Sequence, residues 1–345
     1  MISLTINGQK VEVEPGTTIL QAAEKLGVFI PSFCYDPDLT LVGACRMCVV
    51  EVERARNLIA SCCTPAGEGM VVHTDTERVH EARRANLNLL LANHPLDCLT
   101  CEKTGNCRLQ DYCYLYGISE TDFSGERKDY GFDDSNPFFI RDMNKCILCG
   151  LCVRTCHEIN GVGAVGFMNR GFDTKVSAAF DDPLEDSPCV FCGMCVDVCP
   201  VGALVPKQSV GKGRPWELAT VKTVCPYCGT GCGLELSVKD NEIVGVKGDT
   251  SSPVNRGQTC VKGRFGLGFL QSPERLTSPL IRKNGELVES SWEEALNLVA
   301  QKLRRTRSTE LAGLASARAT NEENYLFQKL LRTLGTNNID HCARL

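Results

Sequence analysis

Cysteines dominate the chemistry that this sequence could perform: the chain has 345 residues, and 22 of them are cysteine. Most of these cysteines fall into five groups with short, regular spacing. In an intracellular chain of this size, clustered thiols more often bind metals or carry out redox chemistry than form disulfides. The groups therefore predict metal centres, and the spacing within each group indicates which metal it suits.

The most specific pattern occurs twice, as "CILCGLCVRTC" and "CVFCGMCVDVCP", 43 residues apart. Both runs follow C-x2-C-x2-C-x3-C, which is typical of ferredoxins with two [4Fe-4S] clusters, where the fourth cysteine of each run binds the other cluster. Zinc sites usually use two separated C-x-x-C pairs, so this spacing favours iron. Pro200 follows the second run as the pattern requires, whereas His157 takes its place after the first. The predicted ligand sets are Cys146, Cys149, Cys152 and Cys199 for one cluster, and Cys156, Cys189, Cys192 and Cys195 for the other.

A histidine begins the second group, "HPLDCLTCEKTGNC". Its candidate ligands are His94, Cys98, Cys101 and Cys107. A neutral imidazole in place of a thiolate makes a site less negative, and in Rieske centres that replacement raises the reduction potential. Zinc also accepts three cysteines and one histidine, so spacing alone leaves both metals open. Cys113 is expected to be a buried bystander.

The first and fifth groups are more widely spaced. The candidate ligands of the first are Cys34, Cys45, Cys48 and Cys62, which follow C-x10-C-x2-C-x13-C and do not match the plant-type [2Fe-2S] spacing literally. Cys63 is an alternative fourth ligand to Cys62, and a zinc knuckle is the alternative kind of site. The candidate ligands of the fifth are Cys225, Cys228, Cys232 and Cys260. Cys63, Cys113 and Cys342 belong to no predicted ligand set.

Local signals place these groups among short strands and helices. Alternating apolar residues around Asn7-Gly8 predict a hairpin at the start of the chain. Thr17 can cap a helix over "TILQAAEKLG", which ends at its glycine. Between the third and fourth cysteines of the fifth group, "LELSVKDNEIVGVKGD" predicts two strands that turn at Asp240-Asn241.

The final 70 residues predict the start of an α/β domain. Ser291 and Glu294 form a potential capping box for one helix. "LAGLAS" predicts a buried strand, the single strand expected in this segment. Asn321 is expected to cap a second helix, which stops at Gly335. An apolar stripe on this helix comprises Leu326, Leu330 and Leu334, beside Phe327 and Leu331.

Several of these motifs resemble known families. The first two groups resemble the [2Fe-2S] domain and the [4Fe-4S] domain with one histidine and three cysteine ligands that are found in complex I large subunits and iron hydrogenases. The fifth, "CPYCGTGC…CVKGRFG", resembles the N-terminal [4Fe-4S] domain of molybdenum or tungsten bis-pterin oxidoreductases. That resemblance implies that Lys262 relays electrons between cluster and pterin; the alternative is a solvated surface lysine.

All five groups in this order resemble the iron–sulfur formate dehydrogenase alpha subunit, since complex I subunits typically lack the ferredoxin repeat. The resemblance implies an α+β chain that carries one [2Fe-2S] and four [4Fe-4S] clusters, with a molybdenum or tungsten bis-pterin guanine dinucleotide in the full-length protein. The implied domains are a β-grasp [2Fe-2S] domain (1–78), a histidine-and-cysteine [4Fe-4S] domain (79–118), a two-cluster ferredoxin domain (137–210), a bis-pterin-type [4Fe-4S] domain (218–275) and a truncated α/β pterin-binding domain (276–345).

The segment "NNIDHCARL" ends the sequence. In the resembling family, such a segment leads into the cysteine or selenocysteine that binds the metal, so we expect a selenocysteine codon after Leu345. An arbitrary boundary or a naturally short protein is the alternative. On this interpretation, the full-length protein interconverts formate and carbon dioxide, and this chain alone does not turn formate over. The alternative function is a stand-alone electron-transfer subunit of a hydrogenase, complex I-like or electron-bifurcating complex.

Composition and charge limit the partners. The formal net charge is −5, which does not favour nucleic acid, and the sequence has no apolar run long enough to span a membrane. The start of the chain predicts a hairpin and not a signal peptide, so we expect a cytoplasmic protein. The resemblance implies partner subunits that accept electrons and carry flavin, NAD(P), ferredoxin-linked or hydrogenase sites.

Overall fold

The computed structural model describes residues 1–341, which form two units that are divided between Ala219 and Thr220. "CARL", with Cys342, lies outside the described residues. Each unit is described by itself. Within residues 1–341, no helix combines the length and the apolar character needed to cross a membrane.

A five-stranded sheet with one helix opens the first unit. Its elements are β1 (Ile2–Ile6), β2 (Gln9–Val13), α1 (Ile19–Lys25), β3 (Val49–Val52), β4 (Ile59–Ala60) and β5 (Val71–His73). The strand order is β2-β1-β5-β3-β4, in which β1 and β5 are parallel and the other pairs antiparallel. The predicted hairpin is present: Asn7 and Gly8 both have positive φ, 48° and 82°, as a type I′ turn requires.

The first helix begins one residue later than predicted. Thr18, and not Thr17, is the N-cap: its hydroxyl accepts from the Gln21 N–H at 3.2 Å, and the Gln21 side chain accepts from the Thr18 N–H at 2.9 Å. This reciprocal pair requires Glu or Gln three residues after the cap. Thr17 would place Leu20 there, so it cannot complete the box.

Two helices follow the sheet, α2 (Glu77–Leu91) and α3 (Arg108–Tyr116). They are joined to the sheet by Arg83, which is only 3 % exposed. Its guanidinium donates to the Val49 carbonyl at 2.8 Å and to the Tyr116 hydroxyl at 2.9 Å. A buried charge is stabilised only when it is paired or hydrogen-bonded, so this arginine fixes α2 between β3 and α3.

The two cysteine runs of the repeat lie in a module of short elements. These are β6 (Phe139–Arg141), α4 (Leu151–Arg154), a π-helical turn (Thr155–Ile159), β7 (Gly166–Met168), β8 (Lys175–Ser177), α5 (Met194–Val198) and β9 (Leu204–Pro206). β6 pairs with β9 and β7 with β8, both antiparallel. The repeat extends to the backbone, because Gly150 and Gly193 both have φ of 73°, immediately before α4 and α5.

The second unit starts with a three-stranded sheet, followed by a short helix. Its elements are β10 (Ala219–Val224), β11 (Gly233–Lys239), β12 (Glu242–Gly248) and α6 (Val261–Phe265). β11 and β12 are the two predicted strands, and they turn at Asp240 and Asn241, whose φ values are 50° and 63°. Asp and Asn tolerate this left-handed conformation better than most residues.

The last elements are β13 (Leu280–Lys283), β14 (Glu286–Glu289), α7 (Trp292–Arg305), β15 (Gly313–Ala315), α8 (Asn321–Thr333) and β16 (Ile339–His341). Ser291 caps α7 as predicted, but the Glu294 carboxylate contacts the Ser290 hydroxyl and the Lys283 ammonium, so half of the predicted box is present. Thr320, and not Asn321, caps α8, because Glu323 completes its box. Gly335, with φ of 85°, follows the helix as expected.

The predicted single buried strand is wrong in two respects. β13 pairs with β14, and β15 pairs in parallel with β16, so residues 276–341 contain four strands. Leu314 in β15 is 83 % exposed. On α8, the buried face differs from the predicted apolar stripe. Leu331 is 5 % exposed, whereas Leu326 and Leu330 are 60 % and 52 % exposed. Sequence periodicity identifies an apolar face but not which part of it a neighbour covers.

Candidate iron–sulfur sites

The four cysteines of the first group meet beside the five-stranded sheet. Cys34, Cys48 and Cys62 are buried and Cys45 is partly buried. The sulfur of Cys34 makes hydrogen bonds with the thiols of Cys45 and Cys62, and these lower the pKa of Cys34 to about 2. A hydrogen bond with Cys62 lowers the pKa of Cys48 to about 7. The cysteines that donate, Cys45 and Cys62, have raised pKa values for the same reason. Four sulfurs within mutual reach, two of them favoured as thiolates, suit a shared metal core.

The sulfur of Cys63 has different neighbours. It lies 3.6 Å from the Ala60 carbonyl oxygen. The same sulfur would lie 2.6 Å from a Cβ added at Gly43, a position whose φ of 60° also favours glycine. Both cysteines lie in the turn that follows β4, and within it the thiol of Cys62 bonds with Cys34 and Cys48.

The second group contains a buried nitrogen that has no hydrogen-bond partner among residues 1–341. His94 is 8 % exposed, and its Nδ1 lies 2.8 Å from the Pro95 carbonyl, to which an Nδ1–H donates. That tautomer leaves a lone pair on Nε2, which is buried and makes no hydrogen bond with the described residues. Burial also lowers the pKa of His94, so the neutral form is favoured. A neutral, oriented imidazole with one free buried nitrogen is what a metal ligand requires.

A cavity of about 350 Å³ lies beside this imidazole, and its lining includes His94, Cys98, Cys107 and Cys113. Cys101 is buried nearby, against Gly202. Cys113 is partly exposed, which corrects the expectation of a buried bystander. Desolvation, together with the charges of Cys107 and Cys98, raises the pKa of Cys113 to about 11. It therefore stays a neutral thiol at the edge of the cavity.

One apolar cavity collects cysteines from both runs of the repeat. Its lining includes Cys146, Cys149, Cys152 and Cys199, together with Cys195. Burial raises the pKa of Cys146 to about 11 and that of Cys149 to about 12, so as free thiols they would be protonated. Bound metal ions would lower these pKa values, because their positive charge stabilises the thiolate form.

The remaining four cysteines of the repeat form a matching group. Burial raises the pKa of Cys195, and the charges of Cys192, Cys189 and Cys156 raise it further, which places these four side chains together. The two groups make equivalent contacts with the backbone. Corresponding N–H groups donate to sulfurs at 3.4 Å, Leu148 to Cys146 in the first run and Phe191 to Cys189 in the second. The fourth cysteine of each run thus lies with the other run's group.

The fifth group lies in the second unit. The Cys225 N–H donates to the Cys232 carbonyl at 2.8 Å. Burial, followed by the charges of Cys260 and Cys228, raises the pKa of Cys225. Cys228 is exposed, and its pKa is lowered first by hydrogen bonds with Thr230 and then by the charges of Lys262 and Arg318. The ammonium of Lys262 therefore lies near one sulfur of this group. A metal core here would be partly open to solvent in the described part of the unit.

Among residues 1–341, no three His, Cys, Asp or Glu side chains converge as closely as a single metal ion needs. A single zinc ion requires four ligands at about 2.0–2.3 Å from its centre. The sulfurs of the Cys146 group line a cavity instead of converging on one point, which suits a multi-iron core.

Three of the sites in the first unit are in contact through their ligand loops. Arg154, between Cys152 and Cys156, donates to the Cys34 carbonyl. The Arg108 N–H, directly after Cys107, donates to the Pro200 carbonyl at 2.9 Å, directly after Cys199. Arg214 donates to the carbonyls of Cys101 and Leu99. Sequence motifs did not identify these three arginines as functional residues, because isolated arginines form no recognisable pattern.

Comparison with known proteins matches five domain families along the chain. They are a 2Fe-2S iron-sulfur cluster binding domain (residues 1–77), the NADH-ubiquinone oxidoreductase-G iron-sulfur binding region (83–122), the NADH-quinone oxidoreductase subunit 3 ferredoxin-like domain (136–205), the molybdopterin oxidoreductase Fe4S4 domain (218–272) and molybdopterin oxidoreductase (275–345). The third match covers the ferredoxin repeat. The expectation that this repeat separates the chain from complex I subunits is therefore wrong.

The names of two curated relatives agree with these domain matches. Over its full length, the chain is 46% identical to the second G-type subunit of the NADH-quinone oxidoreductase of Rhizobium meliloti, and it covers 40% of that protein. It is 40% identical to the alpha subunit of the NADPH-Fe(3+) oxidoreductase of Geobacter sulfurreducens, of which it also covers 40%. The chain thus spans about two fifths of the length of these curated relatives.

A solved structure shares the architecture. A chain in the crystal structure of an NAD+-reducing [NiFe]-hydrogenase in the H2-reduced state is 33% identical, with a TM-score of 0.58. The match covers 62% of this chain and 90% of that one. The chain therefore carries iron–sulfur and molybdopterin oxidoreductase domains, and these domains resemble those of the G-type subunits of NADH-quinone oxidoreductases.

Proposed function

We propose that this chain is the electron-transfer part of a multi-subunit oxidoreductase of the NADH-quinone oxidoreductase or hydrogenase type. The observation that carries the proposal is the gathering of candidate ligands into five separate groups, three of which touch through their ligand loops. Such a series suits the transport of single electrons between distant redox centres.

The proposed ligand sets are those that the spacing predicts. One [2Fe-2S] cluster is held by Cys34, Cys45, Cys48 and Cys62, and four [4Fe-4S] clusters are held by His94 with Cys98, Cys101 and Cys107; by Cys146, Cys149, Cys152 and Cys199; by Cys156, Cys189, Cys192 and Cys195; and by Cys225, Cys228, Cys232 and Cys260. When bound, these clusters accept and release single electrons. The chain's own contribution is to orient the ligands, exclude water and set the charge around each core.

Contacts between loops suggest an order within the first unit. The negative charge of Cys34 adds to the raised pKa of Cys149, so the Cys146 group lies near the first group. On its other side, the Pro200 carbonyl and Gly202 contact the loops of Cys107 and Cys101. We propose that electrons pass between the [2Fe-2S] site and the His94 site through the Cys146 site.

The partners follow from the names of the relatives. Subunits with NAD(P), flavin, ferredoxin-linked or hydrogenase sites would exchange electrons with this chain, as in the proteins named NADH-quinone oxidoreductase, NADPH-Fe(3+) oxidoreductase and NAD+-reducing hydrogenase. A cytoplasmic location fits such partners. These names favour the electron-transfer proposal over formate dehydrogenase.

Formate dehydrogenase is the second candidate. The position of Lys262 near Cys228 favours it, because a relay between a cluster and a bis-pterin guanine dinucleotide of molybdenum or tungsten would need a residue there. Viologen-linked formate oxidation by the longest protein that contains this chain tests this candidate, and zero turnover with a full complement of clusters contradicts it.

Iron analysis and spectroscopy test the main proposal. Anaerobically prepared chain should hold about 18 iron atoms, two in the [2Fe-2S] core and four in each [4Fe-4S] core. Reduction should produce separate EPR signals for the [2Fe-2S] and [4Fe-4S] centres, and Mössbauer spectra should account for the iron in these two core types. Zinc in place of iron, or thiols that stay reactive in the purified protein, would contradict the proposal.

A further inference from the structure

Arg154 connects three of the cysteine groups. It lies between Cys152 and Cys156, which belong to the two groups of the ferredoxin repeat. Its guanidinium reaches out of the module and donates to two carbonyls of the first group's loop, those of Cys34 and Thr40, each at 2.5 Å. A planar guanidinium can hold two acceptors at once in a fixed geometry, which a lysine ammonium cannot reproduce.

A second side chain completes the contact. The carboxylate of Glu158 accepts from the Thr40 N–H at 2.8 Å, so both polar backbone atoms of Thr40 are held by one short helical segment. Arg154 ends α4 and Glu158 lies in the π-helical turn Thr155–Ile159 that continues it. π-helical turns of this kind are often found at functional positions.

The two copies of the repeat differ at these positions. Asp197 is the counterpart of Arg154 in the second copy, 43 residues later, and Pro200 is the counterpart of His157. Proline lacks an N–H and ends a helix, and α5 ends at Val198. Histidine in the first copy allows the helical turn to continue as far as Glu158. The departure from the ferredoxin pattern at His157 therefore permits this contact.

We propose that Arg154 is a positioning residue that fixes the Cys34 loop on the ferredoxin module and places a positive charge between the [2Fe-2S] site and the Cys146 site. The inference rests on the proposed function. The Nε atom of Arg154 is buried, so solvent screens this charge only in part. A nearby cation stabilises a centre that gains an electron, so Arg154 should raise the reduction potential of the [2Fe-2S] cluster.

Two variants separate the charge from the geometry. Arg154→Gln removes both the charge and the contact with two carbonyls. Arg154→Lys keeps the charge but cannot hold both carbonyls at once. In EPR-monitored redox titrations of the whole chain with its clusters, Arg154→Gln should shift the one-electron equilibrium of the [2Fe-2S] cluster about tenfold towards the oxidised form, or ~59 mV. Arg154→Lys should keep more than half of the wild-type effect.

Hydrogen exchange reports the positioning role without reference to potentials. The Thr40 amide should exchange at least tenfold faster in Arg154→Gln and Arg154→Lys than in the wild type. Glu158→Gln should also accelerate exchange, yet it removes a negative charge and should not lower the potential. If the variants acted only by loosening the loop, the potential would fall in all three variants or in none of them.

Arg170→Gln is the matched control, because Arg170 is an exposed arginine of the same module. The inference is overturned if Arg154→Gln and Arg170→Gln leave the potential and the Thr40 exchange rate equally unchanged. If Arg154→Gln fails to load iron, Arg154→Lys and Glu158→Gln still decide between the outcomes. Absence of a [2Fe-2S] signal in the wild type contradicts the proposed function, whereas a wild-type signal with no variant effect contradicts only the role of Arg154.

Discussion

Gly202 offers a sharp test of the contact between the ferredoxin module and the His94 site. A Cβ added at this position would lie 2.7 Å from the Cys101 sulfur and 3.4 Å from both Lys103 Cβ and Lys145 Cδ. Side-chain carbons do not approach a sulfur this closely, so Gly202→Ala must displace either Cys101 or the loop after Cys199. Both loops carry proposed ligands, and neither can move without a change at its cluster.

The expected magnitude follows from the overlap. One extra methyl group in a well-packed region costs about 1–3 kcal/mol when neighbours must shift. The first unit comprises residues 1–219, and in a unit of this size ~1 kcal/mol lowers Tm by about 2–4 °C. Gly202→Ala should therefore lower the Tm of the first unit by about 2–12 °C. It should also reduce the EPR signal of the His94 cluster before that of the [2Fe-2S] cluster.

Gly166→Ala is the control for this prediction. Gly166 lies in β7 of the same module, and a Cβ added there would meet no heavy atom within 4 Å. This variant should keep all cluster signals. Its Tm should differ from the wild-type value by no more than the shift that ~0.5 kcal/mol would cause. Thermal scans under anaerobic conditions, followed by absorbance and EPR, provide both readouts. Equal behaviour of Gly202→Ala and Gly166→Ala would refute the proposed contact and the route drawn through it.

Three further predictions concern the clusters themselves. His94→Cys should keep an iron core but lower its reduction potential, on the order of 100 mV, because a thiolate replaces a neutral imidazole; an unchanged or higher potential would exclude His94 as a ligand. Cys62→Ser should abolish or strongly alter the [2Fe-2S] EPR signal while Cys63→Ser preserves it, and the reverse result would reassign the fourth ligand. Removal of iron by a chelator should leave residues 80–260 largely unfolded, with hydrogen exchange near that of an unfolded chain, because the ligand loops lose the bonds that hold them together; protection that survives chelation would show that packing alone maintains them.

Local chemistry predicted several elements correctly and missed others by a residue. Asn7-Gly8 and Asp240-Asn241 form the expected turns, since short-range conformational preferences decide them. Both helix caps that were placed at the wrong residue are shifted to a threonine with Gln or Glu three positions later, Thr18 and Thr320. The reciprocal hydrogen bond, and not the residue type alone, selects the cap.

Longer-range features were beyond the sequence patterns. β16 pairs with β15 across 26 residues from Gly313 to Ile339, and the exposed Leu314 looks like a core residue by type alone. Partial exposure of Cys113 also depends on its neighbours in space. Periodicity describes one element at a time, whereas burial depends on what packs against it.

The sequence by itself determined the candidate ligands and their cluster-like spacing, because bonds within a run of 11 residues constrain which thiols can share one core. The same pattern predicted that Cys199 joins the first run and Cys156 the second. Only the tertiary structure decided that Cys62 bonds with Cys34 and Cys48 while the sulfur of Cys63 lies against Ala60, and that the Nε2 of His94 is buried with no hydrogen-bond partner among the described residues. It also brought Arg154 to the Cys34 loop, 120 residues away in the chain. These features depend on the relative positions of segments distant in sequence, which packing and hydrogen bonds across the whole unit establish and local spacing cannot specify.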